Sequence, residues 1–190
     1  EVGLVCSNFQ IHNTILGRSY LYWKHKKPSG MILDQLLNDY HIGLLTMMVR
    51  RQSFETLGGF DNRFHLIGDF EFSVRLAVSS KIVTLQETLA NCRLHGANEI
   101  LRKQSLNVQE LKTWLQEANN QPMMQVASLT KIKRKIHYKE SRINLQERNF
   151  KQLWQTMKPL FPSLLFFKIL LMTFLSDNLI HYLKRIGKLA

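Results

Sequence analysis

Asp69 and Glu71 stand two residues apart at the head of the stretch DFEFSVRLAVSS, and Arg75 follows four residues after Glu71. A carboxylate placed there can take a proton from a hydroxyl, and the positive end of a helix favours the ionised form that a base needs. Asp is also a preferred N-cap, accepting the free N–H groups of a first turn, so Asp69 reads as a cap as well. Arg75 reads first as an ion-pair partner of Asp69 or Asp61, and after that as a phosphate ligand. Arg50 and Arg51 divide between solvated charge and contact with an acceptor or a phosphate. Gly58-Gly59 permits positive φ and a tight reversal ahead of Phe60-Asp61. Other chemistry is missing from the sequence. Cys6 and Cys92 lie far apart, with no Cys-x-x-Cys and no His-Glu-x-x-His, which argues against a disulfide framework and a zinc module and fits a reducing compartment. No Asp-x-Asp occurs, and the histidines show no ligand spacing.

Short elements must position these residues. Val2–Cys6 reads as a buried strand, and Pro28-Ser29-Gly30 as a turn. Met31–Leu37 predicts a short helix with Ile32, Leu36 and Leu37 inward. His41–Val49 reads as a strand or buried segment, closed by Arg50-Arg51. Ser53–Leu57 predicts a helical turn stopped by Gly58-Gly59. Asp69 opens a helix with Phe72 and Leu76 facing the core. Lys81–Leu85 reads as a short strand. Asn107–Ala118 is helical, broken by Asn119-Asn120-Gln121-Pro122. Residues 123–158 read as one long helix or two, with Ile132, Ile136, Ile143, Phe150, Leu153, Trp154 and Met157 on the apolar face. Pro159 and Pro162 interrupt them. In Ser163–Ile186, Leu164, Phe167, Leu171, Phe174, Leu175, Leu179, Tyr182 and Ile186 give one apolar helical face. Lys168, Asp177, Asn178 and His181 interrupt this stretch, which argues against a transmembrane span.

The ordered set Arg50-Arg51, Gly58-Gly59-Phe60-Asp61, Asp69 with Glu71, Arg75 and Arg93-Leu94-His95 resembles the acceptor-side half of the family 2 glycosyltransferases. The resemblance covers residues 2–100 and extends weakly beyond them. It implies an α/β fold: a partial GT-A, Rossmann-like domain with a short mixed sheet in residues 1–100, then a basic helical tail in 101–190. It implies inverting transfer of a sugar from a nucleotide-sugar donor to a hydroxyl of a glycan or lipid-linked acceptor, as in polysaccharide biosynthesis. Asp69 matches the family's catalytic base. Glu71, Arg50, Arg51 and Arg75 would contact substrate. Trp23, with Tyr22, would stack on a sugar face unless it packs in the core. His95 stands where some relatives hold a divalent metal, Mg or Mn. Many members carry a second acidic residue just before the base, where this chain has Gly68. The absent Asp-x-Asp and the opening EVGLVCSNF lead to the expectation of a fragment. Its nucleotide-binding lobe would lie elsewhere, and the chain alone would bind a nucleotide-sugar poorly.

The chain of 190 residues carries a net charge of +12, unevenly spread. Residues 1–100 hold 10 basic and 9 acidic side chains, and residues 101–190 hold 16 and 5. A basic half of this kind points to an anionic partner. An amphipathic helix beside it favours an anionic membrane leaflet, with a cytoplasmic protein peripheral at the inner face. The apolar face packing back on the domain is the plainer alternative. Nucleic acid is the weaker partner, because aromatic residues are not interleaved with the basic run. The rival to a transferase is therefore a non-catalytic module that binds membrane or nucleic acid through its basic helices.

Overall fold

The computed structural model describes residues 1–120 and 129–175. The fold is mixed α/β, built on a four-stranded sheet. β1 (Val2–Asn13) is its centre and β4 (Lys81–Leu94) runs parallel to it, from Val2 opposite Lys81 to Asn13 opposite Leu94. β3 (Met48–Val49) pairs antiparallel near the start of β1, and β2 (Arg18–Leu21) pairs antiparallel near its end. A parallel pair needs a long crossover. Here the crossover carries α1 (Leu33–Asn38), a 3-10 turn (Leu44–Thr46), α2 (Arg51–Thr56) and α3 (Gly68–Ser79). After β4 come α4 (Glu99–Arg102), α5 (Gln104–Asn119), α6 (Thr130–Gln146), α7 (Phe150–Met157), a 3-10 turn (Lys158–Leu160) and α8 (Leu164–Phe174).

Both long strands outrun the expected ones. The reading of a strand in Val2–Cys6 stops where the apolar run stops, yet β1 continues because its buried polar residues are satisfied. Asn8 donates from Nδ2 to the Trp23 carbonyl at 2.8 Å and accepts at Oδ1 from the Phe9 N–H at 2.9 Å. β4 extends past Leu85 with an exposed second half, so no apolar pattern marks it. Within His41–Val49, His41 and Ile42 are buried, but Leu44, Leu45 and Met48 are exposed and the strand shrinks to two residues.

The main core crosses residue 100. Leu4 and Cys6 of β1, Leu36 of α1, Phe72 and Leu76 of α3 and Ile82 of β4 pack in one cluster with Val108, Leu111 and Trp114 of α5 and Ile132 and Ile136 of α6. A second cluster joins Leu153 and Met157 of α7, Leu160, and Phe166, Ile169 and Met172 of α8, with Tyr138 and Leu145 of α6 against it. Residues 123–158 thus hold two helices among the described residues, and α6 touches both clusters. Phe150 and Trp154, expected inward, are exposed at 62% and 60%. On α8 the expected apolar face, Leu164, Phe167, Leu171 and Phe174, points outward, while Phe166, Ile169 and Met172 pack inward. The helix is apolar on both sides, so spacing alone could not choose between them. The rest of that expected face, Leu179 to Ile186, lies outside the described residues. No helix among the described residues is long and apolar enough to cross a membrane.

Candidate functional site

The site is built on α3 and the turn before it. Gly58 and Gly59 both adopt positive φ, +74° and +71°, and reverse the chain after α2. Phe54, Phe60 and Phe72 meet beneath this reversal with ring centroids 5.0–5.6 Å apart. Arg75 ties it to α3. Its Nη1 donates to the Leu57 carbonyl at 2.6 Å and its Nη2 to the Gly59 carbonyl at 2.8 Å. The same guanidinium grips Glu71 through two bonds, Nε to Oε1 at 2.5 Å and Nη2 to Oε2 at 2.7 Å. Glu71 is buried. Both residues, expected among the substrate contacts, are therefore engaged with each other and with the turn. Asp61, the other expected partner of Arg75, is held by Arg63, with Nη2 to Oδ2 at 2.6 Å.

Asp69 lies inside the first turn of α3, two residues past the capping position at Ile67. It is not the cap of the helix. Its Oδ1 accepts the N–H of Phe70 at 2.8 Å. The three amides before the helix are met from a distance: Glu110 of α5 accepts the N–H of His65 at 2.9 Å, of Leu66 at 2.9 Å and of Ile67 at 3.1 Å. Burial raises the Asp69 pKa, against the lowering influence of the Phe70 N–H, Tyr40 and Lys135. The helix end alone would favour ionisation; desolvation outweighs it. A carboxylate raised in this way is a stronger proton acceptor once ionised.

The charge of Asp69 acts on Tyr22, Tyr40 and Lys135. Burial first, and then the charges of Asp69 and Asp39, push the Tyr22 phenol up to about 12. Tyr40 is raised further by the same burial and by Asp69. The buried Tyr40 Oη and Ser73 Oγ have no hydrogen-bond partner among the described residues. Lys135 of α6 is lowered by desolvation, opposed by the attraction of Asp39 and Asp69.

The remaining expected residues lie apart from this group. Trp23 is buried and donates from Nε1 to the His41 carbonyl at 3.2 Å, so it anchors the core and presents no free face. Tyr22 beside it stacks on Phe9, centroids 4.3 Å apart, and keeps 36% exposure. Arg50 donates to the Val2 carbonyl at 2.9 Å and pairs with Glu1 at 3.1 Å. Arg51 lines an open cavity of about 380 Å³ with Leu44, Met47, Val49, Phe54 and Phe60. His95 is exposed in a turn where its Nδ1 accepts the Ala97 N–H at 3.2 Å. Among the described residues no three His, Cys, Asp or Glu side chains converge to hold a metal ion.

Sequence reading missed Glu110, Tyr40, Ser73 and Lys135. Glu110 left one signal, an acid on the same helical face as Asn107, Leu111, Trp114 and Ala118. Comparison of the chain with protein-family models, with curated proteins and with solved structures finds no match in any of the three.

Proposed function

We propose that this chain is the acceptor-side part of a GT-A glycosyltransferase of the family 2 kind, which moves a sugar from a nucleotide-sugar donor to an acceptor hydroxyl by inversion. One observation carries the reading: Asp69 sits half-buried at the start of α3 with a raised pKa, and α3 is tied to the double-glycine turn at residues 58–59 through Glu71 and Arg75. Asp69 accepts the proton of the attacking hydroxyl, while Tyr22 and the Tyr40 and Ser73 hydroxyls orient the acceptor. Glu71 and Arg75 position α3 and do not touch substrate. A divalent metal for the leaving diphosphate belongs to the expectation from the resemblance. The described residues present no ligand set for it, and no step above runs through it.

The test is sugar transfer by the polypeptide encoded by the whole reading frame, with and without Asp69→Asn. The expected result is loss of transfer by about a thousandfold or more with an unchanged fold. Transfer at the wild-type rate in Asp69→Asn overturns the assignment of the base.

A peripheral membrane location is the second part of the proposal. Leu164, Phe167, Leu171 and Phe174 stand outward on α8, with Leu164 and Phe174 each 82% exposed. Lys168 lies on the same helix. An exposed apolar helix face of this kind suits the headgroup boundary of a leaflet.

A further inference from the structure

On α6, Lys135, Lys139 and Arg142 recur at intervals of four and three residues, which aligns them on one face. Ile132 and Ile136 enter the main core from a neighbouring face, and Glu140 pairs with Lys112 elsewhere on the helix. Lys168 of α8 joins the row. Its ammonium lies 5.9 Å, and the Arg142 guanidinium 6.0 Å, from the centroid of the Tyr138 ring. The four cations run from Asp39 and Asp69, whose charges act on Lys135, to the inner side of α8.

Six other cations among the described residues are held by carboxylates. Lys27 meets Asp39, Arg50 meets Glu1, Arg63 meets Asp61 and Glu117, Arg75 meets Glu71, Lys103 meets Glu99, and Lys112 meets Glu140. None of the four in the row has a carboxylate within ion-pair distance among the described residues. Lys139 donates to a neutral acceptor, Asn107 Oδ1, at 2.6 Å. The Arg142 Nε is buried without a partner. Desolvation, then the charges of Lys135 and Arg142, bring the Lys139 pKa down to about 8. Lys168 is lowered by desolvation and by Arg142. Like charges held together and partly dehydrated raise the energy of the fold, and a bound anion removes that cost. The rise of a helix spreads residues 135 to 142 over about 10 Å, longer than a single phosphate. A guanidinium fork among ammonium groups suits phosphate oxygens.

We propose that Lys135, Lys139, Arg142 and Lys168 form a surface binding site for a diphosphate group. Anion binding here does not depend on the transferase reading.

The experiment is calorimetric titration of the full chain with inorganic diphosphate, comparing the wild type with Lys139→Gln/Arg142→Gln and with the distant Lys81→Gln. Saturable binding is expected, weakened about tenfold or more in the double variant and unchanged in Lys81→Gln. The double variant should melt at the wild-type temperature or above it, because repulsion is relieved; that result separates a ligand site from a structural one. A second arm uses phosphatidylcholine vesicles doped with a polyprenyl diphosphate. Loss in the double variant in this arm alone assigns the contact to a lipid-borne diphosphate. Loss in both arms admits the free anion. Absence of saturable binding in both arms, or equal weakening by Lys81→Gln, overturns the proposal. Diphosphate binding without sugar transfer keeps the site and sinks the transferase reading; transfer without such binding does the reverse.

Discussion

At Asp69 burial and the helix end pull in opposite directions, and burial prevails. The consequence for stability has a definite sign. The folded state holds the Asp69 proton more tightly than the unfolded chain, whose carboxyl titrates near 3.8. Stability contributed by this group is therefore highest at low pH, falls as pH rises from about 4 through the raised folded-state pKa, and stays reduced above it. Asp69→Asn removes that fall. Its melting temperature should match the wild type near pH 4 and exceed it at pH 7, as thermal scans across that range would read. An equal difference at both pH values would show that the carboxylate is not destabilised by burial. Glu71 and Arg75 are the contrast: their charges are satisfied by each other and by two carbonyls, so they serve the fold.

The elements that hold Asp69 are only partly local. The double-glycine turn and the Phe72–Leu76 face of α3 were legible in the sequence, because they depend on φ and on a helical repeat within a few residues. The lengths of β1 and β4 were not, since Asn8 is buried by bonds to Trp23 and the far half of β4 is solvated. Trp23 and Glu71 had the right residue types for substrate contacts, but the His41 carbonyl claimed Trp23 and Arg75, one turn along the same helix, claimed Glu71. The clamp by Glu110 was beyond local reading altogether, joining residues more than forty positions apart. Glu110→Gln replaces one accepting oxygen by a donor that faces the same amides. It should cost about 2–3 kcal/mol in urea unfolding, and transfer should fall with it because α3 loses its anchorage. Unchanged unfolding would mean that these amides find other acceptors.

At the scale of the whole molecule, the positive charge of the second half is only partly paired among the described residues. Lys112 with Glu140 ties α5 to α6, while Lys135, Lys139 and Arg142 form the unpaired row along α6. A basic run alone reads as a solvated face; only packing against α8 and the Asp69 region shows which cations lack partners. The outward side of α8 belongs to this scale too. Leu164→Ser/Phe174→Ser should leave the second cluster intact, since both side chains point away from Phe166, Ile169 and Met172. In flotation with vesicles containing anionic lipid, this variant should be recovered several-fold less than the wild type, given about 0.8 kcal/mol for each buried methylene. Equal recovery would assign membrane contact elsewhere or nowhere.

The three amides gathered by Glu110 bear on how inherited damage in this protein would look. A lesion in α5 that moves this one carboxylate would disturb the approach to Asp69 without touching any residue around it. In a screen for loss of function, mutations from the second half of the chain would then fall into the same phenotypic class as those in the first. They would be told apart by suppressors that tighten α3 from its other side, near Gly59 and Arg75.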